Sequence, residues 1–325
     1  MKRFETILRL SLTGLFGCSL WMPASANQDG TSTAQFLRIA QGARAEGMGG
    51  AFTAIADDAY AVSWNPAGLS QITRHELALN HLKYIDSINS EFSSFVMPVN
   101  SLNGSLAASL TYLNFGSIDK LDQFGNPLGG DNSVNAYSGA ISWGQAVSDR
   151  LGLGVTGKYF KQDLAGNTAA GFAGDVGGLL FLVPDRVSVG AALLNLGPKI
   201  KSGSTAEPIP LTSRLGVAWH AIPKQLVLDI DAEKERASSI TMHVGGEYTY
   251  QNKFVIRGGY QDNKETRGGL SAGFGFIWRP GEKSDFFGNA ITSKSSSKTE
   301  IRFDYGFVDY GDFDTTHRFG VQVGF

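Results

Sequence analysis

Cysteine is all but missing from this chain. The single one, Cys18, lies in the first twenty residues, so a chain trimmed after Ala26 has no disulfide framework and no thiol chemistry. A basic excess is missing as well. Lys and Arg number 28 against 30 Asp and Glu. Without residues 1–26, which hold Lys2, Arg3, Arg9 and Glu5, the balance is 25 to 29, a net charge of −4. That balance argues against a nucleic-acid partner. Charge of either sign is sparse at 18%, while glycine (41) and phenylalanine (21) are abundant for a soluble enzyme of this length. Long apolar runs are absent beyond the N-terminus. Stretches such as Val187–Pro198 fall well short of the roughly 20 residues a membrane helix needs. If the mature chain enters a membrane it does so as a closed barrel, the one strand architecture that satisfies every backbone group in lipid.

The N-terminus has the form of an export leader. Lys2, Arg3 and Arg9 make a basic start, Leu10–Trp21 is apolar, and Ala24-Ser25-Ala26 is an A-x-A cleavage site before Asn27. Leu15-Phe16-Gly17-Cys18 loosely resembles a lipoprotein box, but Phe16 fits it poorly and the better cleavage site lies downstream.

From residue 75 onward the period is two. Phe319, Val321, Val323 and Phe325 alternate with Arg318, Gly320, Gln322 and Gly324. Leu226, Leu228 and Ile230 alternate with Val227, Asp229 and Asp231. One face is apolar and the other carries charges, glycines and hydroxyls. A soluble sandwich shares this period, but a transmembrane barrel gives it lipid on one side and a polar lumen on the other. Strands are expected near 75–84, 90–98, 104–116, 134–147, 151–163, 168–183, 187–197, 209–220, 225–234, 239–250, 253–262, 267–279, 299–309 and 315–325. Tyr84, Trp143, Tyr159, Trp219, Tyr248, Tyr250, Trp278 and Tyr310 fall near strand ends, where interfacial girdles belong. The reading is all-β: a 14-stranded antiparallel transmembrane barrel with a small N-terminal helical plug. Its divisions are a signal peptide over 1–26, a plug over 27–72 and a barrel over 73–325. Arg214, Asp229, Asp231, Arg257, Arg302, Asp304 and Arg318 are lumen charges in that frame, and their plainest role is to hydrate a polar interior. Short connections such as Ser148-Asp149, Pro184-Asp185-Arg186, Ile222-Pro223-Lys224 and Gln251-Asn252 follow the even strands. The longer Ser117–Ser133 and Gly197–Pro208 follow odd ones. Pro280–Lys298 is long, yet its phase puts it among the short turns. Either the count slips there or an unusual loop exists.

One stretch does not alternate. In Gly42–Ile72, GARAEGMGGAFTAIADDAYAVSWNPAGLSQI, Gly42, Gly47, Gly49 and Gly50 fall within nine positions, where the backbone can turn sharply or approach a surface closely. Asp57 and Asp58 precede Ala59–Ser63 as helix caps, and Asn65-Pro66 offers a second cap with proline at the first helical position. The plug motif is taken as Gly47, Met48, Gly49, Gly50, Asp57, Asp58, Asn65, Pro66, Ala67, Gly68 and Leu69. The wording MGGAFTAIADDAYAVSWNPAGL closely resembles the N-terminal signature of the PorV/PorQ family of outer-membrane barrels. Its NPAGL core is shared with the FadL-like superfamily. The resemblance implies fourteen strands, an outer-membrane location in a Gram-negative-type bacterium, and a segment that plugs the lumen from the periplasmic side. It also implies one of two roles. The first is a carrier in type IX protein secretion, binding the C-terminal signal domains of exported proteins. The second is a channel for hydrophobic small molecules. The partners implied are outer-membrane lipid, the barrel assembly machinery, and secreted protein cargo or hydrophobic small molecules. Terminal Phe325 resembles the signal that the assembly machinery reads. The chain is shorter than that family, with modest outer loops.

No enzyme chemistry is expected. Gly269-Leu270-Ser271-Ala272-Gly273 matches G-x-S-x-G but lies inside a period-two strand, whereas a nucleophile elbow needs a strand-to-helix turn. His75, His81, His220, His243 and His317 form no metal-ligand spacing. Gly47–Gly50 lacks the Lys-Ser/Thr of a phosphate loop. Catalytic, cofactor-binding and metal sites are all expected to be none.

Overall fold

The computed structural model describes residues 32–84, 88–121, 127–164, 167–202, 205–236, 238–262, 269–281, 299–311 and 315–325. The expected export leader, Cys18 and most of the Pro280–Lys298 connection lie outside them. Alternation becomes strand throughout the region after residue 75. The strands are β1 (Glu76–Lys83), β2 (Asn89–Val99), β3 (Gly104–Leu121), β4 (Pro127–Ser148), β5 (Leu151–Leu164), β6 (Asn167–Val183) and β7 (Val187–Leu196). They continue as β8 (Ile200–Ser202), β9 (Thr205–Glu207), β10 (Thr212–Ile222), β11 (Leu226–Glu235), β12 (Ile240–Tyr250), β13 (Phe254–Asp262), β14 (Gly269–Trp278), β15 (Glu300–Asp309) and β16 (Thr315–Gly324). Fourteen of them close a barrel in chain order, each antiparallel to the next, with β1 pairing β16 from Glu76↔Gly324 to Lys83↔His317. β8 and β9 form a separate hairpin.

The two faces differ as the period requires. On β11, Leu228 and Ile230 are 41% and 51% exposed while Asp229 and Asp231 are 1% and 0% exposed. Exposed Leu, Ile, Val, Phe, Tyr and Trp cover the outer wall on strand after strand. A soluble protein would not leave so large a continuous apolar surface in water; a transmembrane barrel turns it to lipid. Trp143, Tyr159, Trp219, Tyr248, Tyr250 and Trp278 all take the outward phase. Tyr84 and Tyr310 do not: they take the inward phase and meet edge to face, ring centroids 6.2 Å apart. They belong to the mouth of the lumen, and the expectation of a girdle position for them is corrected.

Two connections also differ from expectation. Ser117–Ser133 is mostly strand: β3 and β4 continue to Leu121 and Pro127 and pair there, for example Ser117↔Ser133. β4 pairs with β5 only from Val134↔Leu164 downward, so this hairpin rises as a two-stranded ribbon. Strands beyond the bilayer need no apolar face, which is why alternation did not reveal them. Within Gly197–Pro208, the β8–β9 hairpin folds inward, placing Ile200 against Phe160 and Ala173. The strand count does not slip at Pro280–Lys298. β14 still pairs with β15, Trp278↔Ile301, so that connection leaves from the short-turn rim.

Residues 32–72 lie inside the barrel. They form α1 (Ala43–Gly47), α2 (Ala61–Trp64) and 3-10 turns at Gln35–Arg38 and Pro66–Gln71. Such short helices do not hold by propensity; burial against the wall does. Met48, Phe52, Ile55, Trp64 and Leu69 are each at most 2% exposed.

Candidate functional site

The site is the contact between this inner segment and the lumen wall. Backbone placement comes first. Gly49 and Gly50 have φ of 69° and 76°, a region that costs any residue with a Cβ. They turn the chain out of α1 so that Met48 lies flat on β12 and β13. The wall answers with glycines of its own: a Cβ at Gly259 or Gly245 would overlap the Met48 backbone, and one at Gly154 would overlap Pro66. Short hydroxyls complete the seat. Ser94 Oγ donates to the Ala59 carbonyl (2.8 Å), Ser105 Oγ to Ile72 (2.9 Å) and Ser188 Oγ to Ala54 (2.8 Å). This wall is shaped to receive main chain.

Asn65 behaves as the sequence indicates. Its Oδ1 accepts the Ala67 N–H (3.1 Å), capping the turn that Pro66 opens, while Nδ2 donates to the carbonyls of Thr53 (2.9 Å) and Gly178 (3.1 Å). One side chain thus ties the cap to the facing loop and to the wall. Of the two caps expected before α2, Asp58 keeps part of the role and the expectation for Asp57 is corrected. The N-cap of α2 is Tyr60, without a side-chain cap bond. Asp58 Oδ1 accepts the Tyr60 N–H (3.0 Å), and both carboxylates turn to Arg44, at 2.5 Å from Asp57 and 3.0 Å from Asp58. A buried guanidinium has the stronger claim on a carboxylate than a helix of one turn.

Arg44 opens a network that crosses from plug to barrel. Its Nε and Nη2 form a bidentate pair with the Glu247 carboxylate on β12, both at 2.9 Å. Glu247 also accepts Arg257 Nε (2.6 Å) and Arg302 Nη2 (3.0 Å), and Asp304 takes Arg257 Nη2 (2.8 Å) and Arg302 Nε (3.1 Å). Further up, Arg318 pairs with Glu46 of α1 at 3.2 Å. Burial opposes the charge on Arg44, but Asp57, Glu247 and Asp58 beside it raise its pKa well above the usual range. Burial pushes the Asp58 carboxyl up, and Arg44 offsets part of that.

The seven predicted lumen charges therefore divide. Arg257, Arg302, Asp304 and Arg318 join this network. Arg214 lies apart, paired with Glu233 and stacked over Trp64 with its guanidinium carbon 4.5 Å from the ring centroid. Asp231 Oδ2 accepts two consecutive plug N–H groups, Phe52 (3.0 Å) and Thr53 (2.9 Å). Asp229 is buried beside the Ala54 and Ile230 N–H groups, with neither carboxylate oxygen in a well-aligned hydrogen bond. All seven side chains face inward, but against packed protein and not open water. Arg44, Glu46 and Glu247, the plug-side and central members of the network, were missed. The signal for Glu247 was present, since it shares the inward phase of His243 and Gly245 on β12.

The other half of the lumen is filled from the far mouth. Thr33 N donates to the Pro208 carbonyl (3.0 Å), Arg38 pairs with Glu235, and Phe36 packs edge-on to Phe160 at 6.4 Å. Between these layers a cavity of about 60 Å³ remains, walled by Phe36, Gln41 and Trp64 of the plug and Lys158, Asn195 and Glu233 of the barrel. Lys158 is itself paired with Asp175 at 2.8 Å. Among the described residues no group of three or more His, Cys, Asp or Glu could hold a metal ion. Ser271 sits within β14 with its hydroxyl on the Gly47 carbonyl (3.4 Å), not on a strand-to-helix turn.

Fold and site together define a transmembrane β-barrel of the outer-membrane type with an internal plug. The chain belongs to the family described as type IX secretion system protein PorV, whose model matches residues 23–235. No curated protein matches it. Among solved structures it is similar to the toluene transporters TbuX of Ralstonia pickettii (TM-score 0.56) and TodX of Pseudomonas putida (0.59). Each is 14% identical, with 87% of this chain and 97% of that one covered. A FadL homologue of Pseudomonas aeruginosa is 12% identical over 88% and 98%, with a TM-score of 0.53. At these identities the likeness carries the fold alone.

Proposed function

We propose that this protein is an outer-membrane carrier of type IX-like secretion, holding exported proteins by their C-terminal signal domains for transfer to surface attachment. Family membership supports the reading. The observation that carries it is the packed interior: between the plug layers the cavity is about 60 Å³ and lined in part by charged and amide side chains, and the larger apolar hollow, about 780 Å³, lies among the exposed outer-wall side chains of Phe95, Leu110, Ile141 and Phe172. A route for hydrocarbons would be mostly apolar and several hundred Å³ in size. Cargo is then handled at the outer surface, where the β3–β4 ribbon stands clear of the barrel. The role is one of binding, without catalysis or cofactor. In cells that carry the chain, its deletion should strand proteins with C-terminal sorting domains short of the surface while uptake of fatty acids and aromatic hydrocarbons continues. Normal secretion combined with lost uptake would favour the channel reading, which the solved transporters of this fold keep in view. The location itself is checked by outer-membrane fractionation and by faster gel migration before boiling than after.

A further inference from the structure

The short-turn rim carries a pattern that neither the plug nor the carrier role uses. Six connections at that end contain a basic residue. Arg74 lies between the plug and β1, Arg150 between β4 and β5, Arg186 between β6 and β7, Lys224 between β10 and β11, Lys253 between β12 and β13, and Arg279 after β14. Only the β2–β3 turn, Asn100–Asn103, lacks one. Among the described residues the acidic groups of this rim are Glu76, Asp149, Asp185 and Glu300, so six positive charges meet four negative; Arg74 pairs with both Glu76 and Glu300, and Glu300 is shared with Arg279.

The cations sit at a defined height. Exposed apolar side chains of the outer wall come just before them in sequence: Val147 before Arg150, Val183 before Arg186, Ile222 before Lys224, Tyr250 before Lys253 and Trp278 before Arg279. This apolar-then-basic order is what a membrane-water interface selects. Two of the guanidinium groups are held at the rim by neighbouring turns. Arg186 Nη1 donates to the Ala221 carbonyl (3.0 Å) and Arg279 Nη1 to that of Asn252 (2.8 Å). Successive hairpins in such a barrel are roughly 12 Å apart along the circumference, from the strand spacing and tilt. The β4–β5, β6–β7 and β10–β11 turns therefore each offer about one cation, Arg150, Arg186 or Lys224, to one phospholipid headgroup.

We infer that the short-turn rim is a binding collar for anionic phospholipid headgroups, with Arg150, Arg186 and Lys224 as its exposed contact points. The inference rests on the membrane-barrel reading and not on the carrier role. The protein would be reconstituted in bilayers of phosphatidylethanolamine with a minority of phosphatidylglycerol, extracted gently, and its retained lipids counted by native mass spectrometry. Wild type should hold phosphatidylglycerol at about fivefold its bulk share per collar site, the factor one interfacial cation supplies. Raised salt should remove that enrichment. The combined Arg150→Gln, Arg186→Gln, Lys224→Gln variant should fall to the bulk ratio, whereas Lys199→Gln with Lys201→Gln in the far-mouth connection should not. Retention at the bulk ratio by wild type, or undiminished enrichment in the triple variant, overturns the collar and leaves the rim to an acidic protein partner. If the triple variant does not fold, judged by gel mobility before and after heating, the salt titration of wild type decides alone.

Discussion

Two carboxylates two positions apart on β11 show how far residue-level context governs outcome. Asp231 accepts two buried N–H groups in good geometry, whereas Asp229 only approaches those of Ala54 and Ile230. An unmatched buried carboxylate is a cost to the fold. Asp229→Asn should therefore leave thermal unfolding in detergent unchanged or raise it. Asp231→Ala strands the Phe52 and Thr53 N–H groups, at about 1–3 kcal/mol each, and should lower it. The Arg44–Glu247 pair is a sharper case, because Glu247 serves three guanidinium groups. Glu247→Ala leaves them crowded in a buried space, a loss of roughly 3–5 kcal/mol. The plug should become protease-sensitive while the barrel keeps its heat-dependent gel shift. Equal protease resistance in wild type and variant would mean that the network does not hold the plug.

At the scale of elements, the strands were largely legible and the seat was not. A period of two is a property of one strand and survives in sequence, so apart from the β3–β4 ribbon the barrel strands fall within a few residues of expectation. The wall glycines could be read only as an unusual composition. Gly154 on β5 and Gly259 on β13 make sense once Pro66 and Met48 lie against them, and those are contacts between segments far apart in the chain. The same gap misjudges the lumen charges. Asp229 appears in sequence as an open-water position, yet it is packed as tightly as a core residue. This alters the test that alternation suggests. Leu228→Arg puts a charge in lipid at roughly 2–4 kcal/mol and should reduce membrane insertion. Asp229→Arg should insert but displace the plug, which limited proteolysis would separate from the first defect. Gly259→Val should act like Asp229→Arg, since its branched side chain overlaps the Met48 backbone.

For the whole molecule, the family signature was legible because it is local and lies in the plug. The closure of the far mouth by the β8–β9 hairpin and Phe36 was not, because it depends on a loop meeting the 3-10 turn at Gln35–Arg38. Removing Gly42–Ile72 clears the plug half of the lumen while the β8–β9 hairpin still covers part of the far mouth, and the deletion mutant should conduct more than wild type in planar bilayers. An inserted mutant that conducts no better than wild type would remove the plug role.

The inner segment is joined to the barrel covalently at one end only, through Thr73–His75 into β1, while its far end is held by Thr33 on Pro208 and Arg38 on Glu235. It is a tethered ligand whose binding site is the protein itself. Tethering keeps its effective concentration near the millimolar range, so a segment that lets go finds its seat again faster than any diffusing blocker could. Weakening the contacts changes the fraction of time bound and never loses the ligand. Glu247→Ala and Gly259→Val should therefore give brief, recurrent openings in bilayer recordings, while the deletion gives a lasting one.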